Sequence, residues 1–459
     1  MELTHANLLE HLAEFSCNLK YEDLPEEVVR EAKRRIFDSL GCLIMGVRHD
    51  EAVKLVRQGM GRKEWQTQFL GGLAVGMEGS YSLENAAFLN AHSIRALDWN
   101  DTYLSPLEPA HPSDNIGALL ALAGKDGCNG KALILATVLA YEIQCRFCDA
   151  ASLRKKGWDH TYYLQLSSSL AVGKILGLSK EKSLHAASLS LLCLPSRQGR
   201  SGSKLSHTKG LYAGYAAKKG AESAALASVG ATGPAEMIEG EFGIINQVFA
   251  GTRPNLSAFS DLGRVFKITK THIKFYPVEY HAQAVVALGL KIRNIIGNIE
   301  RIEKIDISSY EFAKSVIGDR SKRRPETKES ADHSLFFVLA SVLLDGEMAL
   351  KQYAPARLRD ARIWNLIDRM SDVNEMPEYN AAYGNADLPE FPISAGVLIK
   401  DGWWFKEEVR IPKGHWAKPL SNEELKNKFG EPVGNLDFVW ALENMSAWDL
   451  YWTSRGLKA

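Results

Sequence analysis

The sequence predicts a mainly α protein in which a large all-helical domain is interrupted by a smaller α/β domain. Three observations predict it. Apolar residues recur at helical spacing from the N-terminus to about residue 260. Beyond residue 266 the pattern changes to short alternating stretches interleaved with helical ones. The tail, from "SNEELKNKFG" onward, is helical again. At 459 residues the chain is also long for one compact core. The expected boundaries are 1–267 for the first part of the helical domain, 268–412 for the inserted α/β domain and 413–459 for the helical remainder.

The elements follow in order. "PEEVVREAKRRIFDSLGCLIMG" opens with Pro25 and acidic residues, carries apolar groups at helical spacing, and is expected to stop near Gly46. "GGLAVGMEGS" reads as a turn or hairpin. "GKALILATVLAYEIQCRFCDAASL" is apolar nearly all round, as a central helix would be. "YYLQLSSSLAVGKILG" and "KEKSLHAASLSLLCL" are two further helices, separated by Gly177 and capped by Ser179. "KGLYAGYAAKKGAESAALASVG" is rich in the small residues that permit close helix packing. "FKITKTHIKFYP" then alternates like a strand, "EYHAQAVVALGLKIRNII" is helical, and "IERIEKIDISSYEF" alternates again. "SADHSLFFVLASVLLDG" is a helix, and "SAGVLIKDGWWFKEEVRIP" is a hairpin turning at Asp401–Gly402.

Composition narrows the function. The chain is 46% hydrophobic and 24% charged, and its 55 basic and 55 acidic residues cancel. Bulk electrostatics therefore offers no grip on nucleic acid or an acidic membrane. A small anionic substrate in a locally cationic pocket remains open. The six cysteines sit mostly among apolar residues, as reduced core thiols of a cytoplasmic protein do. Cys145 and Cys148 form one CxxC on a helix, which without a second pair reads as structure rather than a metal site. The N-terminus has no basic segment leading into an apolar core, and no apolar run is long enough to cross a membrane.

Signatures of nucleotide hydrolysis, zinc peptidases and serine hydrolases are absent from the sequence. Five segments combine ionisable groups with apolar neighbours. "ALDWNDTYLSPLEPAHPSDNIGALL" carries Asp98, Thr102 and His111, and Asp98 and Thr102 share a face if the preceding helix persists that far. "GWDHTYY" carries Asp159 and His160. "SRQGRSGSKLSHTKG" carries Arg197, Arg200, Lys204, His207 and Lys209. "KFYPVEYHAQ" carries Lys274, Tyr276, Glu279, His281 and Gln283, and "ESADHSLFF" carries Asp332 and His333. Each has a structural alternative: helix caps, satisfied core groups or a solvated basic loop. Together they form an inventory suited to one chemistry. Arginine and lysine bind carboxylates, and histidine and lysine move protons near neutral pH. Proton abstraction beside a carboxylate of a small polyanion is the reaction this inventory fits.

The motifs "RALDWNDTY…AHPSDNIG", "GWDHTYY", "GRSGSKLSHTKG", "GATGPAEMIEGEFGI", "YPVEYHAQA" and "ADHSLFF…LLDG" together resemble the MmgE/PrpD superfamily. Its members include 2-methylcitrate dehydratase, cis-aconitate decarboxylase and an iminodisuccinate epimerase. The resemblance implies a large helical domain with a smaller α/β lid, a homodimer, and an active site between the domains that uses no metal or cofactor. It implies catalytic roles for Asp98, Thr102, His111, His160, Lys209 and His281, and substrate binding by Tyr310. Arg197, Arg200 and Lys274 are added as carboxylate binders from their residue type. "HPSDN", "PVEYHAQ" and "DWNDT" resemble the dehydratase branch, whereas "LSPLEPA" departs from its tryptophan-rich linker. The implied activity is dehydration of 2-methylcitrate. The alternatives are decarboxylation of cis-aconitate, isomerisation of a dicarboxylate, or a helical scaffold without turnover.

Overall fold

A computed structural model describes residues 3–61, 71–201, 205–430, 433 and 436–457. Lys204 of the third segment lies outside the described residues. The described chain is mainly α-helical with small sheets. It divides into two compact units, one made of Met1–Gly199, Gly210–Thr271 and Phe429–Ala459, the other of Arg200–Lys209 and His272–Lys428.

The first unit is built from α1 (Leu8–Asn18), α2 (Glu26–His49), α3 (Glu51–Met60), α4 (Leu83–Arg95), α5 (Asp114–Leu120), α6 (Gly130–Ala150), α7 (Thr161–Ile175), α8 (Lys180–Ser190) and most of α9 (Thr208–Ser228). Helix α6 is buried on nearly every face, as its uniform apolarity requires, and packs against α2, α5 and α7. Burial drives the Cys145 and Cys148 thiols well above their ordinary pKa, which keeps them protonated and inert. Ser179 caps α8 by accepting from the Lys182 amide at 3.3 Å.

Helix α2 does not stop at Gly46 but runs on to His49. A Cβ at Gly46 would lie 2.2 Å from the Ser93 carbonyl oxygen. The glycine serves the crossing of α2 and α4 rather than a helix end. Similarly, a Cβ at Gly117 would lie 2.4 Å from the Ala91 nitrogen, so α5 rests directly on the backbone of α4. The unit is not wholly helical: β1 (Tyr103–Leu104) and β2 (Pro109–Ala110) form a short antiparallel ribbon between α4 and α5. The glycine-rich stretch closes a turn with an isolated bridge between Gly72 and Tyr81.

The second unit holds a four-stranded sheet of β3 (Ile302–Ser309), β4 (Asn374–Glu375), β5 (Ile393–Ile399) and β6 (Trp404–Val409), in the order β4–β3–β5–β6. Strands β3 and β5 are antiparallel with Ile305 opposite Val397, and β3 and β4 are parallel. The helices Gln283–Ile296 and Leu335–Asp345 pack together, and the first also lies on β5 and β6. The β5–β6 hairpin turns through Asp401–Gly402, where Gly402 takes φ +84°.

The alternation of "FKITKTHIKFYP" does not make a strand. Residues Lys267–Lys270 form a 3₁₀ turn. The hydroxyls of Thr269 and Thr271 each donate to the carbonyl three residues back, both at 2.8 Å. These local bonds favour a turn over a ladder. Among the described residues, no helix is long and apolar enough to cross a membrane.

Candidate active site

The first unit gathers one group of candidates around the end of α4. The helix ends at Arg95, so Asp98 and Thr102 do not share a helical face. Asp98 instead takes φ +53°, a left-handed conformation that aspartate tolerates better than most residues. This kink turns its carboxylate back onto the Arg95 guanidinium, and both side chains are 1% exposed. Arg95 Nη2 donates to Nε2 of His111 at 3.0 Å. The His111 Nδ1–H donates to the Asp101 carbonyl at 2.8 Å. Guanidinium cannot accept and a carbonyl cannot donate, so these two bonds fix the neutral Nδ1–H tautomer. The His160 ring stands 5.5 Å from the His111 ring, edge to face. The Thr102 hydroxyl donates to the Ala110 carbonyl at 3.0 Å and closes the ribbon just before His111.

A buried hydrogen-bond network supports this group. Asp101 accepts from the Ser113 amide at 3.0 Å and from the Tyr141 hydroxyl at 2.8 Å. Arg35 lies 3.6 Å from the same carboxylate. The amide of Asn100 donates to Ser113 Oγ at 2.8 Å and to Asp114 Oδ1 at 2.9 Å. Asn115 donates to Gln144 and accepts from Ser167 and Ser168. The polar residues of "HPSDN" are therefore mostly scaffold, holding α5 against α6 and α7.

His160 stands immediately before α7. Its neighbour Asp159 accepts from the Thr161 amide at 3.0 Å. Trp158 bridges to Ser196, and the Arg197 amide donates to the Gly157 carbonyl at 3.0 Å. Arg197 thus shares a local electrostatic environment with Asp159, Glu108 and Arg154. Burial lowers its pKa, Arg154 lowers it further, and the two carboxylates oppose that.

The second unit gathers a separate group. Lys209 Nζ donates to both Asp332 oxygens, at 3.1 and 3.2 Å, and lies 3.4 Å from His333 Nδ1. Lys328 Nζ lies 3.5 Å from Asp332 Oδ2. Burial alone would raise the Asp332 pKa, but Lys209, His333 and Lys328 together hold it below the usual carboxylate range. Lys322 faces the same charges; burial pulls it below the usual lysine range, Asp332 opposes and Lys209 adds repulsion.

The backbone ties this group to His281, because the Glu279 amide donates to the Asp332 carbonyl at 2.9 Å. His281 Nδ1 is hydrogen-bonded to the Tyr310 hydroxyl, and Nε2 lies 3.9 Å from Glu279 Oε1. Burial raises the Tyr310 pKa far above its ordinary value, so the phenol keeps its proton. Tyr310 stacks on Tyr383 at 4.5 Å, and Phe391 closes the aromatic box. Lys274 is fully buried, seven positions before His281 in the chain. Arg200 belongs to the second unit and Arg197 to the first.

The sequence reading missed Arg95, Asp101, Lys322 and Lys328, and left Asp332 and His333 outside its final set. Arg95 carried a signal: its spacing of three residues to Asp98 is that of an ion pair at the end of a helix.

Comparison with known proteins agrees with the motifs. Residues 10–257 match the MmgE/PrpD N-terminal domain and residues 276–435 the MmgE/PrpD C-terminal domain. The 2-methylcitrate dehydratase of Escherichia coli K12 is 27% identical over 421 residues, covering 86% of this chain and 84% of that protein. The mitochondrial 2-methylcitrate dehydratase of Yarrowia lipolytica is 27% identical, covering 92% and 84%. The human cis-aconitate decarboxylase is 26% identical, covering 90% and 84%. With both domains matched in order over most of its length, the chain belongs to the MmgE/PrpD family.

Proposed function

We propose that this protein is a cofactor-independent lyase of small di- and tricarboxylates that dehydrates 2-methylcitrate to 2-methyl-cis-aconitate. The observation that carries the reading is the Asp98–Arg95–His111 array with the His160 ring 5.5 Å from His111. A buried guanidinium beside two imidazoles suits a substrate that is anionic and must lose a carbon-bound proton.

In this mechanism Arg197 and Arg200 bind substrate carboxylates. His160 removes the proton α to a carboxylate, since Nε2 of His111 is already engaged by Arg95. The electron pair left behind spreads into that carboxylate, and the Lys209 ammonium stabilises the charge. Asp332 holds the Lys209 side chain in place at 3.1 Å. The C–O bond then breaks as the C=C bond forms. His281, held by its hydrogen bond to Tyr310, gives a proton to the departing hydroxyl, which leaves as water. The same reading has the enzyme acting as a cytoplasmic homodimer, for which size-exclusion light scattering should give twice 50.8 kDa.

The test is to incubate the chelator-treated protein with 2-methylcitrate and follow the ultraviolet absorbance of a conjugated product. A saturable rise supports dehydration; no rise removes 2-methylcitrate as substrate. A second reading, decarboxylation of cis-aconitate, is favoured by the human relative, which matches as well as the dehydratases do. Carbon dioxide released from cis-aconitate would select it.

A further inference from the structure

We propose that Glu108 is a positioning residue that sets the His111 and His160 imidazoles against each other; the inference rests on the reading that these two rings serve one reaction. Glu108 lies in the "LSPLEPA" linker between β1 and β2 and is 1% exposed. One of its oxygens, Oε2, accepts from Ser152 Oγ at 3.0 Å and from the Arg154 amide at 2.9 Å.

Two short paths leave this carboxyl group. In one direction the chain runs through β2 into His111, with Ala110 fixed by the Thr102 hydroxyl. In the other, the turn at Arg154–Lys156 leads through Gly157, at φ +84°, to Trp158, Asp159 and His160. That second strip is clamped on its far side. The Asp159 amide donates to the Pro195 carbonyl at 2.9 Å, and the Arg197 amide donates to Gly157 at 3.0 Å. Glu108 therefore joins the ribbon that ends in His111 to the turn that ends in His160 and Arg197. Its buried carboxyl fixes the spacing at which the two rings meet edge to face. Nothing in the mechanism uses Glu108, and it touches no reacting group.

The carboxyl acts here through its acceptor oxygen and not its charge. A glutamine keeps the acceptor; a leucine of similar size does not. The test compares Glu108→Leu and Glu108→Gln in the full chain. Two readouts are followed: steady-state turnover of 2-methylcitrate, and the ¹³Cε1–¹H resonances of His111 and His160 in histidine-labelled protein, assigned by single substitutions. The Leu variant should lose about 10²-fold in kcat with KM changed less than about threefold, because misplacement of about 1 Å costs that much. Both imidazole resonances should move. The Gln variant should match wild type on both readouts.

Unmoved resonances in the Leu variant overturn the proposal, as does a Gln variant as impaired as the Leu one. If wild type does not turn over 2-methylcitrate, the functional reading fails, while the resonances still decide the positioning role. Should Glu108→Leu not fold, Ser152→Ala removes one of the two bonds and should shift the His160 resonance in the same sense; no shift there also overturns it.

Discussion

Arg95 donates to Nε2 of His111 at 3.0 Å while holding the Asp98 carboxylate in an ion pair that is 1% exposed on both sides. One guanidinium therefore fixes the orientation of an imidazole and neutralises a buried acid. Asp98→Asn separates these duties, because asparagine also tolerates the left-handed backbone at that position. The change leaves the Arg95 charge buried with its carboxylate gone. We expect a loss of about 3–5 kcal/mol in stability. Urea unfolding of the variant against wild type measures it.

Much of the fold was legible in the sequence. The helices at α2, α6, α7 and α8 follow apolar periodicity and cap residues such as Ser179. The β5–β6 hairpin follows from Asp401–Gly402 flanked by apolar runs. What failed was local competition that pattern cannot reveal. Gly46 looked like a stop and is a crossing point, because only the position of Ser93 explains it. Thr269 and Thr271 sit at strand-like spacing but spend their hydroxyls on their own backbone. In the candidate site, residue type pointed to five segments, and the family resemblance to Asp98, His111, His160 and Lys209 within them. The partners that define their states were harder to see. Lys209 meets Asp332 across 123 positions of chain, and no spacing rule reaches that far.

The packing of α5 on α4 gives a second prediction. Gly117→Ala drives a methyl group to 2.4 Å from the Ala91 nitrogen, against backbone that has no rotamer to yield. The variant should lose about 1–3 kcal/mol or more. It should also lose turnover, since α4 ends at Arg95 and α5 begins three residues after His111. Thermal unfolding and a rate assay on the same preparation test both.

Glu108 yields a pH prediction. Burial raises its pKa from 4.5 to about 7, although the Arg154 and Ser152 hydrogen bonds oppose that rise. A folded-state value above the unfolded one means that the protonated acid favours folding. Its contribution is complete below about pH 4.5 and is lost as pH climbs through about 7. Glu108→Gln removes this loss while keeping the acceptor. The variant should gain on wild type between pH 5 and pH 8, by on the order of 1–3 kcal/mol. Urea unfolding at the two pH values checks it; an equal difference at both would show that the carboxyl does not titrate in that range.

The buried thiols supply a chemical check on the core. Cys145 and Cys148 are fully buried, with their thiols held protonated, whereas Cys193 is exposed. Iodoacetamide should modify Cys193 in the native protein and reach Cys145 and Cys148 only after unfolding. Peptide mass spectrometry reads the order of labelling.

The most direct measurement is kcat/KM for 2-methylcitrate in wild type and in Lys209→Ala, with circular dichroism showing both to be folded. Lys209 sits on Asp332 at 3.1 Å and is the cation assigned to the charge that develops during proton removal. The expected result is saturable turnover in wild type and a loss of about 10²-fold or more in the variant. Equal turnover in the two proteins would remove Lys209 from the reaction and contradict the mechanism.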